Sequence, residues 1–446
     1  MTLRSFLLAG LGASIAALAT ASTFSAVDAG GFALRQQGTA SQGMSYAGAA
    51  AGSLLSPSSM YWNGATITLH EGRTFEANAA GILTQSTIDL PTAFTPRTGG
   101  ALPAGGDQSS EIGLFAIVPA SYTVVQLTDQ IFFGNSINGP FGLGSDADDD
   151  YAGRFHGIES ELSTYTANPT LAFKFNDYVS ASIGATIMYS KVALKSRTFG
   201  GAFGEGISDL TGDDWGFGFT AGVMLTPIPT TRIGLGFRSG IEIEYEGEAE
   251  LTFPNPAANQ TFDIEADLHL PEIVTLSVSH DFNARFTGTA TVEWTNWSRF
   301  EELRVRRASD GVTVNLVEQN WDDGWYFAIG GEYQATDKLT VRGGVGYELT
   351  PVPDEMRTPR IPDEDRVWLS IGATYAPTDR LKLSAAYTYI FIDDGSINRA
   401  NANDADPLVG GLGDLGGISG EARDQSVNML SLSASYKFGG EPVFRR

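Results

Sequence analysis

From Gly72 onward, apolar and polar residues alternate along the chain in long runs. Val179, Ala181, Ile183, Ala185, Ile187 and Tyr189 are interleaved with Ser180, Ser182, Gly184, Thr186 and Ser190. Leu339, Val341, Val345, Tyr347 and Leu349 are interleaved with Thr340, Arg342, Gly344, Gly346 and Glu348. Successive strand side chains point to opposite faces, so each run predicts a strand with one greasy and one wet face. A soluble sandwich would show the same alternation. The turns separate the two. Short ones stand at Thr128-Asp129-Gln130, Asn176-Asp177-Tyr178, 226–231, 281–284, Thr336-Asp337-Lys338 and Pro377-Thr378-Asp379. Between them lie long polar connections at 139–157, 198–214, 246–261, 299–322 and 350–365. A strict short–long rhythm is that of an outer-membrane barrel, whereas sandwiches use Greek-key crossings. Counting from Gly72 to Phe438 predicts an all-β, membrane-spanning antiparallel barrel of about fourteen strands, an even number with both termini periplasmic.

The pattern divides the chain into four parts. Residues 1–29 form a secretory signal: Arg4 at its start, an apolar core from Phe6 to Leu18, and the small-residue cleavage site Val27-Asp28-Ala29. Residues 30–70 are rich in Gly, Ala and Ser and lack a helical or strand period, so they cannot fold alone. Composition reads them equally as a plug packed inside the barrel or as a linker. The barrel takes 71–438, and a tail runs over 439–446. Aromatic residues near strand ends, among them Phe173, Phe175, Tyr333, Tyr375, Tyr436 and Phe438, suit the headgroup level of a bilayer.

Composition changes this picture little. With 53 Gly and 11% aromatics the chain leans further towards β structure, and with no Cys it has no disulfide framework. A net charge of −24 disfavours nucleic acid as a partner. Four His residues show no metal spacing, and there is no nucleophile elbow or phosphate loop. No catalytic residue, metal site or cofactor is therefore expected, and the chain reads as a non-enzyme. Asp146, Asp148, Asp149 and Asp150 form an acidic loop that lacks the glycine of a calcium loop at Tyr151. His156 beside Arg154 reads as a solvated loop residue. Strand parity turns Lys174, Arg232, Arg238, Arg285, Arg342, Arg366, Lys382 and Lys437 into the lumen. Arg238 and Arg366 lie highest, and Trp368 shares the face of Arg366.

Several stretches carry a family resemblance. They are Gly31-Phe32, Gly43-Met44-Ser45-Tyr46-Ala47-Gly48, Trp62-Asn63-Gly64-Ala65, Asn138-Gly139-Pro140-Phe141-Gly142-Leu143, Gly153-Arg154-Phe155-His156, Glu293 to Ser298, and Thr358 to Ser370. Over nearly the whole mature chain the sequence resembles the FadL family of outer-membrane long-chain fatty-acid transporters. Two departures stand out: Gly64 replaces the proline of the family's Asn-Pro-Ala, and Gly439 to Arg446 continue past the terminal aromatic residue. Asn255-Pro256-Ala257 repeats that tripeptide in an expected loop. The resemblance implies a fourteen-stranded barrel closed by a hatch at 30–70, with Trp62, Asn63, Gly64 and Ala65 as the hatch motif. It implies passive uptake of a long-chain fatty acid or similar hydrophobe through a gap in the wall. It places a carboxylate-binding basic residue at Arg366, with Phe32 facing the same pocket; parity sets the flat face of Trp368 beside it and makes Arg238 a further candidate. Either arginine could instead be paired structurally, Arg238 with Glu332 or Glu348 and Arg366 with Glu348 or Asp365. Expected partners are the hydrophobic ligand, outer-membrane lipids and lipopolysaccharide, and the barrel assembly machinery, around a monomer. Leu408, Val409, Leu412, Leu415 and Ile418, apolar residues in a Gly-rich outer loop, either cap the barrel mouth or help capture substrate. An open porin or a surface receptor barrel is the rival reading.

Overall fold

The chain was described from a computed structural model covering residues 30–52, 55–95, 103–399, 415–439 and 441–444. The signal segment and Leu408, Val409 and Leu412 lie outside the described residues. The alternating runs form one antiparallel sheet. Its first strands are β1 (Arg73–Ala93), β2 (Ser109–Gln126), and β3 (Ile131–Asn138), which resumes as β4 (Gly142–Asp146). Then come β5 (Glu159–Lys174), β6 (Val179–Phe199), β7 (Glu205–Ile228), and β8 (Thr231–Arg238) continued by β9 (Ile241–Thr252). Next are β10 (Gln260–Leu270) with β11 (Ile273–Asp281), β12 (Phe286–Thr295) with β13 (Glu302–Arg307), and β14 (Thr313–Glu318) with β15 (Gly324–Thr336). The circuit ends with β16 (Leu339–Leu349), β17 (Arg366–Thr378), β18 (Leu381–Ile392) with β19 (Gly395–Arg399), and β20 (Ile418–Gly439). Joined across their interruptions, these segments make fourteen barrel strands. The barrel closes because β1 pairs with β2 on one edge and β20 on the other.

Its outer face is apolar and bare: Ile183, Phe217, Ile329 and Ile371 are 64%, 69%, 68% and 65% exposed. Side chains of that kind, ringing a closed sheet, are at home in lipid rather than water. Beyond this band the strands run on, and here the sequence reading needs correcting. Only 200–204 separates β6 from β7, and only 253–259 separates β9 from β10, where longer loops were expected. The expected loop 299–322 contains the β13–β14 hairpin. The cause is visible in β9, where exposed Glu242, Glu244, Glu246, Glu248 and Glu250 alternate with buried Ile241, Ile243, Tyr245, Ala249 and Leu251. This is a strand whose outer face meets water, and its charge was read as loop.

The lumen is filled by residues 30–69, almost all buried where described. They form only a short helix, α1 (Thr39–Gln42), and three 3-10 turns, at Ala49–Ala51, Pro57–Tyr61 and Gly64–Leu69. Buried backbone must find partners, and the inward polar face of the wall supplies them. Thr291 Oγ1 accepts from the Gly48 amide (2.8 Å), Ser277 Oγ from Ala50 (3.2 Å) and Asn78 Oδ1 from Thr39 (3.0 Å). Tyr122 and Tyr326 hydroxyls donate to the carbonyls of Gln37 (2.5 Å) and Ser45 (2.6 Å). Two wall glycines let the backbones meet. A Cβ at Gly236 would sit 1.7 Å from the Trp62 carbonyl oxygen, and one at Gly234 1.9 Å from that of Ala50.

The Trp62-Asn63-Gly64-Ala65 motif closes this packing. Trp62 stacks edge-on to Tyr61, centroids 5.0 Å apart. Asn63 Oδ1 caps the last 3-10 turn by accepting from the Ala65 amide (3.0 Å), and its Nδ2 donates to the Ala50 and Val223 carbonyls. Ala65 is fully buried. Gly64 replaces proline where a Cβ would lie 2.7 Å from Thr170 Cγ2, so the side-chain cap and the wall fix the turn. Asn255 caps its own 3-10 turn on Ala257 in the same way, so the repeated tripeptide reflects shared turn chemistry. In the tail, Val443 and Phe444 donate to the carbonyls of Gln126 and Leu127 at the short-turn end.

His70 ends the hatch. Loss of solvent, with Lys382 the next influence, pushes its pKa down to about 4. The unfolded chain would take up this proton near the ordinary value of about 6.5. The depressed pKa therefore contributes stability that is present above about pH 6.5 and is lost as pH falls towards about 4. The unfolding midpoint in detergent should drop across that window, and His70→Gln should flatten this part of the profile. An identical pH profile in the variant would show that His70 is not responsible.

Candidate binding chamber and the hatch network

Above the hatch, at the long-loop end, the inner faces of β4 to β10 turn apolar. Leu143, Leu162, Val192, Leu210, Tyr245 and Leu268 line a chamber of about 120 Å³. Phe32 forms its floor. That ring is held in an aromatic cluster, 4.6 Å from Trp297, 5.6 Å from Phe300, 5.8 Å from Trp321 and 6.2 Å from Phe141. Leu415 also lines the chamber, while Ile418 is buried at the start of β20.

Two guanidinium groups reach this apolar wall, Arg360 from a loop and Arg399 from the end of β19. Arg360 donates to the carbonyls of His156 (2.6 Å), Glu159 (2.8 Å) and Lys195 (3.1 Å) and to Ser160 Oγ (2.6 Å). Arg399 donates to the carbonyls of Glu355 (3.2 Å) and Glu318 (3.1 Å) and to Met356 Sδ (3.1 Å). Every one of these acceptors is neutral. Burial lowers the Arg360 pKa to about 10, with Tyr151 opposing the shift, so it stays charged at neutral pH. His156 also lines the chamber; it is buried and its Nε2 meets the Gly416 carbonyl at 2.8 Å, which corrects the expectation of a solvated loop residue. The segments 151–158 and 357–363 of the long connections fold inward over the barrel mouth.

The residues expected to bind substrate divide differently. Phe32 lines the chamber. Arg366 is buried beneath it in an ion network, paired with Asp363 and 4.0 Å from Glu348. Trp368 is fully buried lower still, between Tyr46 and Tyr326, with centroids at 6.0 and 5.7 Å. Arg238 stacks 4.4 Å over Tyr61 and donates to its carbonyl (3.0 Å). It has no carboxylate partner among the described residues: Glu332 pairs with Arg342, and Glu348 with Arg35 and Arg366. Parity turned Arg238, Arg366 and Trp368 inward; there Arg238 and Trp368 meet the hatch, and Arg366 meets the carboxylates that hold the hatch.

The wall itself is interrupted. Pro140 has no amide to continue a ladder, and β3 stops pairing with β2 at Ile137–Ser121. β4 then pairs with β5 alone. The intervening turn bends inward to the hatch, where Leu34 donates to Pro140 O (2.7 Å) and Gly142 to Phe32 O (2.9 Å). No ladder joins β4 to β2 among the described residues.

A lipid-facing barrel, filled by its own N-terminal segment below an apolar chamber, defines a membrane channel protein of the hatch-containing kind. The chain belongs to the outer membrane protein transport protein family (OMPP1/FadL/TodX), whose family model matches residues 18–438. It is a β-barrel of the outer membrane. It is 30% identical to the 47 kDa outer membrane protein of Pasteurella multocida, covering 69% of this chain and 78% of that one. It is 28% identical to the long-chain fatty acid transport protein of Escherichia coli O6:H1, over 74% and 79% of the two chains. In fold it is similar to a Pseudomonas aeruginosa FadL homologue (TM-score 0.82, 24% identity, 92% of this chain and 100% of that one). The Pseudomonas putida toluene transporter TodX shares the fold at a TM-score of 0.66 and 15% identity, over 90% and 98% of the chains.

Proposed function

We propose that this protein carries long-chain fatty acids or similar amphipathic hydrophobes inward across the outer membrane by passive diffusion. The observation that carries the reading is the apolar chamber floored by Phe32 of the hatch, with Arg360 and Arg399 at its wall. Sequestering about fourteen methylenes at ~0.8 kcal/mol each is favourable by roughly 11 kcal/mol before ordering costs. Tail burial then sets affinity, and the two guanidinium groups orient the acid. Residues 1–29 are removed on export, the short turns and both termini face the periplasm, and the loops that roof the chamber face outside. The break between β2 and β4 gives a bound tail a way sideways into the membrane. A hatch packed against every side of the lumen disfavours an open porin.

The test is direct binding. Purified, delipidated protein should bind a fluorescent long-chain fatty acid saturably, and Leu162→Asp should weaken it by about tenfold or more. The variant's folding is checked by its heat-dependent shift on a gel. Unchanged affinity in a folded variant would move the site out of this chamber.

A further inference from the structure

The first described residues are gripped more tightly than chamber flooring requires. The Gly30 amide donates to Glu348 Oε1 (3.0 Å) and the Gly31 amide to Asp363 Oδ2 (3.1 Å). Arg35 bridges Glu293 and Glu348, and Arg366 pairs with Asp363. Gly31 has φ +70°, and a Cβ there would lie 2.4 Å from the Trp321 ring, so the path of these residues is fixed.

The charges of this cluster do not balance. Three carboxylates (Glu293, Glu348 and Asp363) face two cations (Arg35 and Arg366), and all five side chains are 7% exposed or less. Two further cations lie near. Arg357 donates to the Asp363 carbonyl (2.8 Å) but is paired with Asp354 and Glu364. Arg238, which stacks on the Tyr61 ring and pairs with no carboxylate among the described residues, shares a small cavity with Arg35 and Glu293 rather than with Glu348 or Asp363. Glu348 Oε2 is buried with no hydrogen-bond donor, Arg366 Nε standing 4.0 Å away. An uncompensated buried charge is costly. With Arg238 at the Glu293 side, it is the Gly30 end of the cluster, at Glu348, that has room for a further donor and a positive charge.

The signal segment ends in Val27-Asp28-Ala29, directly before Gly30. Cleavage there turns the single-donor Gly30 amide into an ammonium with three donors and a full charge. We infer that the α-ammonium of Gly30, released by signal cleavage, is the third cation of this network and latches Phe32 into the chamber floor. Removal of the signal is then a step in building the hatch as well as in export. The inference goes beyond the transport reading and holds whichever hydrophobe is carried.

The mature chain, refolded with Gly30 first, is compared with the same chain Nα-acetylated, both verified by mass. In planar bilayers the free form should be quiet and the acetylated form should open often. Glu348→Gln removes one negative charge, so it should reverse the order: noisy with a free terminus, quiet when acetylated. Equal behaviour of the free and acetylated forms, or Glu348→Gln opening both, overturns the inference. A second measurement needs no variant: the α-amine of the native, folded protein should react with an acylating reagent about tenfold or more slowly than in urea. Equal rates, or a native start other than Gly30, would also overturn it.

Discussion

Replacing Arg360 and Arg399 together by Met should weaken fatty-acid binding by about tenfold or more, and leave the fatty alcohol of equal length within about twofold. Both side chains line the chamber, and their acceptors there are neutral carbonyls, a hydroxyl and a thioether. Among the described residues no carboxylate forms an ion pair with either, although the Glu318 carboxylate acts on Arg399. The Arg360 charge above all is therefore available to an incoming carboxylate, in an apolar setting where a charge-assisted bond is strong. Met keeps an apolar stem against the wall, so the tail loses little contact. Arg366→Met is the counter-example. Arg366 already faces Asp363 and Glu348, and its loss should disturb acid and alcohol alike by loosening the network. Equal weakening of acid and alcohol in the Arg360/Arg399 variant would mean that these residues only clamp the loops.

The barrel was legible because its signal is spread over hundreds of residues. One misread run, such as the glutamates of β9, changes a loop length without changing the strand count. Phe32 and the hatch motif were legible through resemblance, and the inward direction of Arg238, Arg366 and Trp368 through parity. Parity gives direction without depth. It could not say that the hatch rises to meet those side chains, since 30–69 has no period from which its path can be read. Arg360 lay in the same motif as Arg366 and was passed over because it stands in a loop. Its role comes from that loop folding back onto the carbonyls of His156, Glu159 and Lys195, contacts more than a hundred residues apart in sequence. Nothing local announces such a contact.

Loss of Arg35 should release the hatch. Its guanidinium lies 3.9 Å over the Tyr326 ring and joins Glu293 to Glu348. Arg35→Met leaves both carboxylates buried, facing each other without their shared cation. Removing one partner of a buried ion pair typically costs about 3–5 kcal/mol. Tyr326 also donates to the Ser45 carbonyl, so the disturbance passes directly into the hatch backbone. The folded variant should show frequent openings and a raised mean conductance in planar bilayers, where the parent is quiet. Adding Glu293→Gln should restore most of the quiet state. The amide oxygen can still accept from Thr275 Oγ1, which donates to Glu293 at 2.7 Å, while one uncompensated charge is removed. The order parent, double variant, single variant is the signature of a charge network. A quiet Arg35→Met channel would show that backbone contacts to Thr291, Ser277 and Asn78 hold the hatch without it. If the double variant were as noisy as the single, shape rather than charge would be what Arg35 supplies.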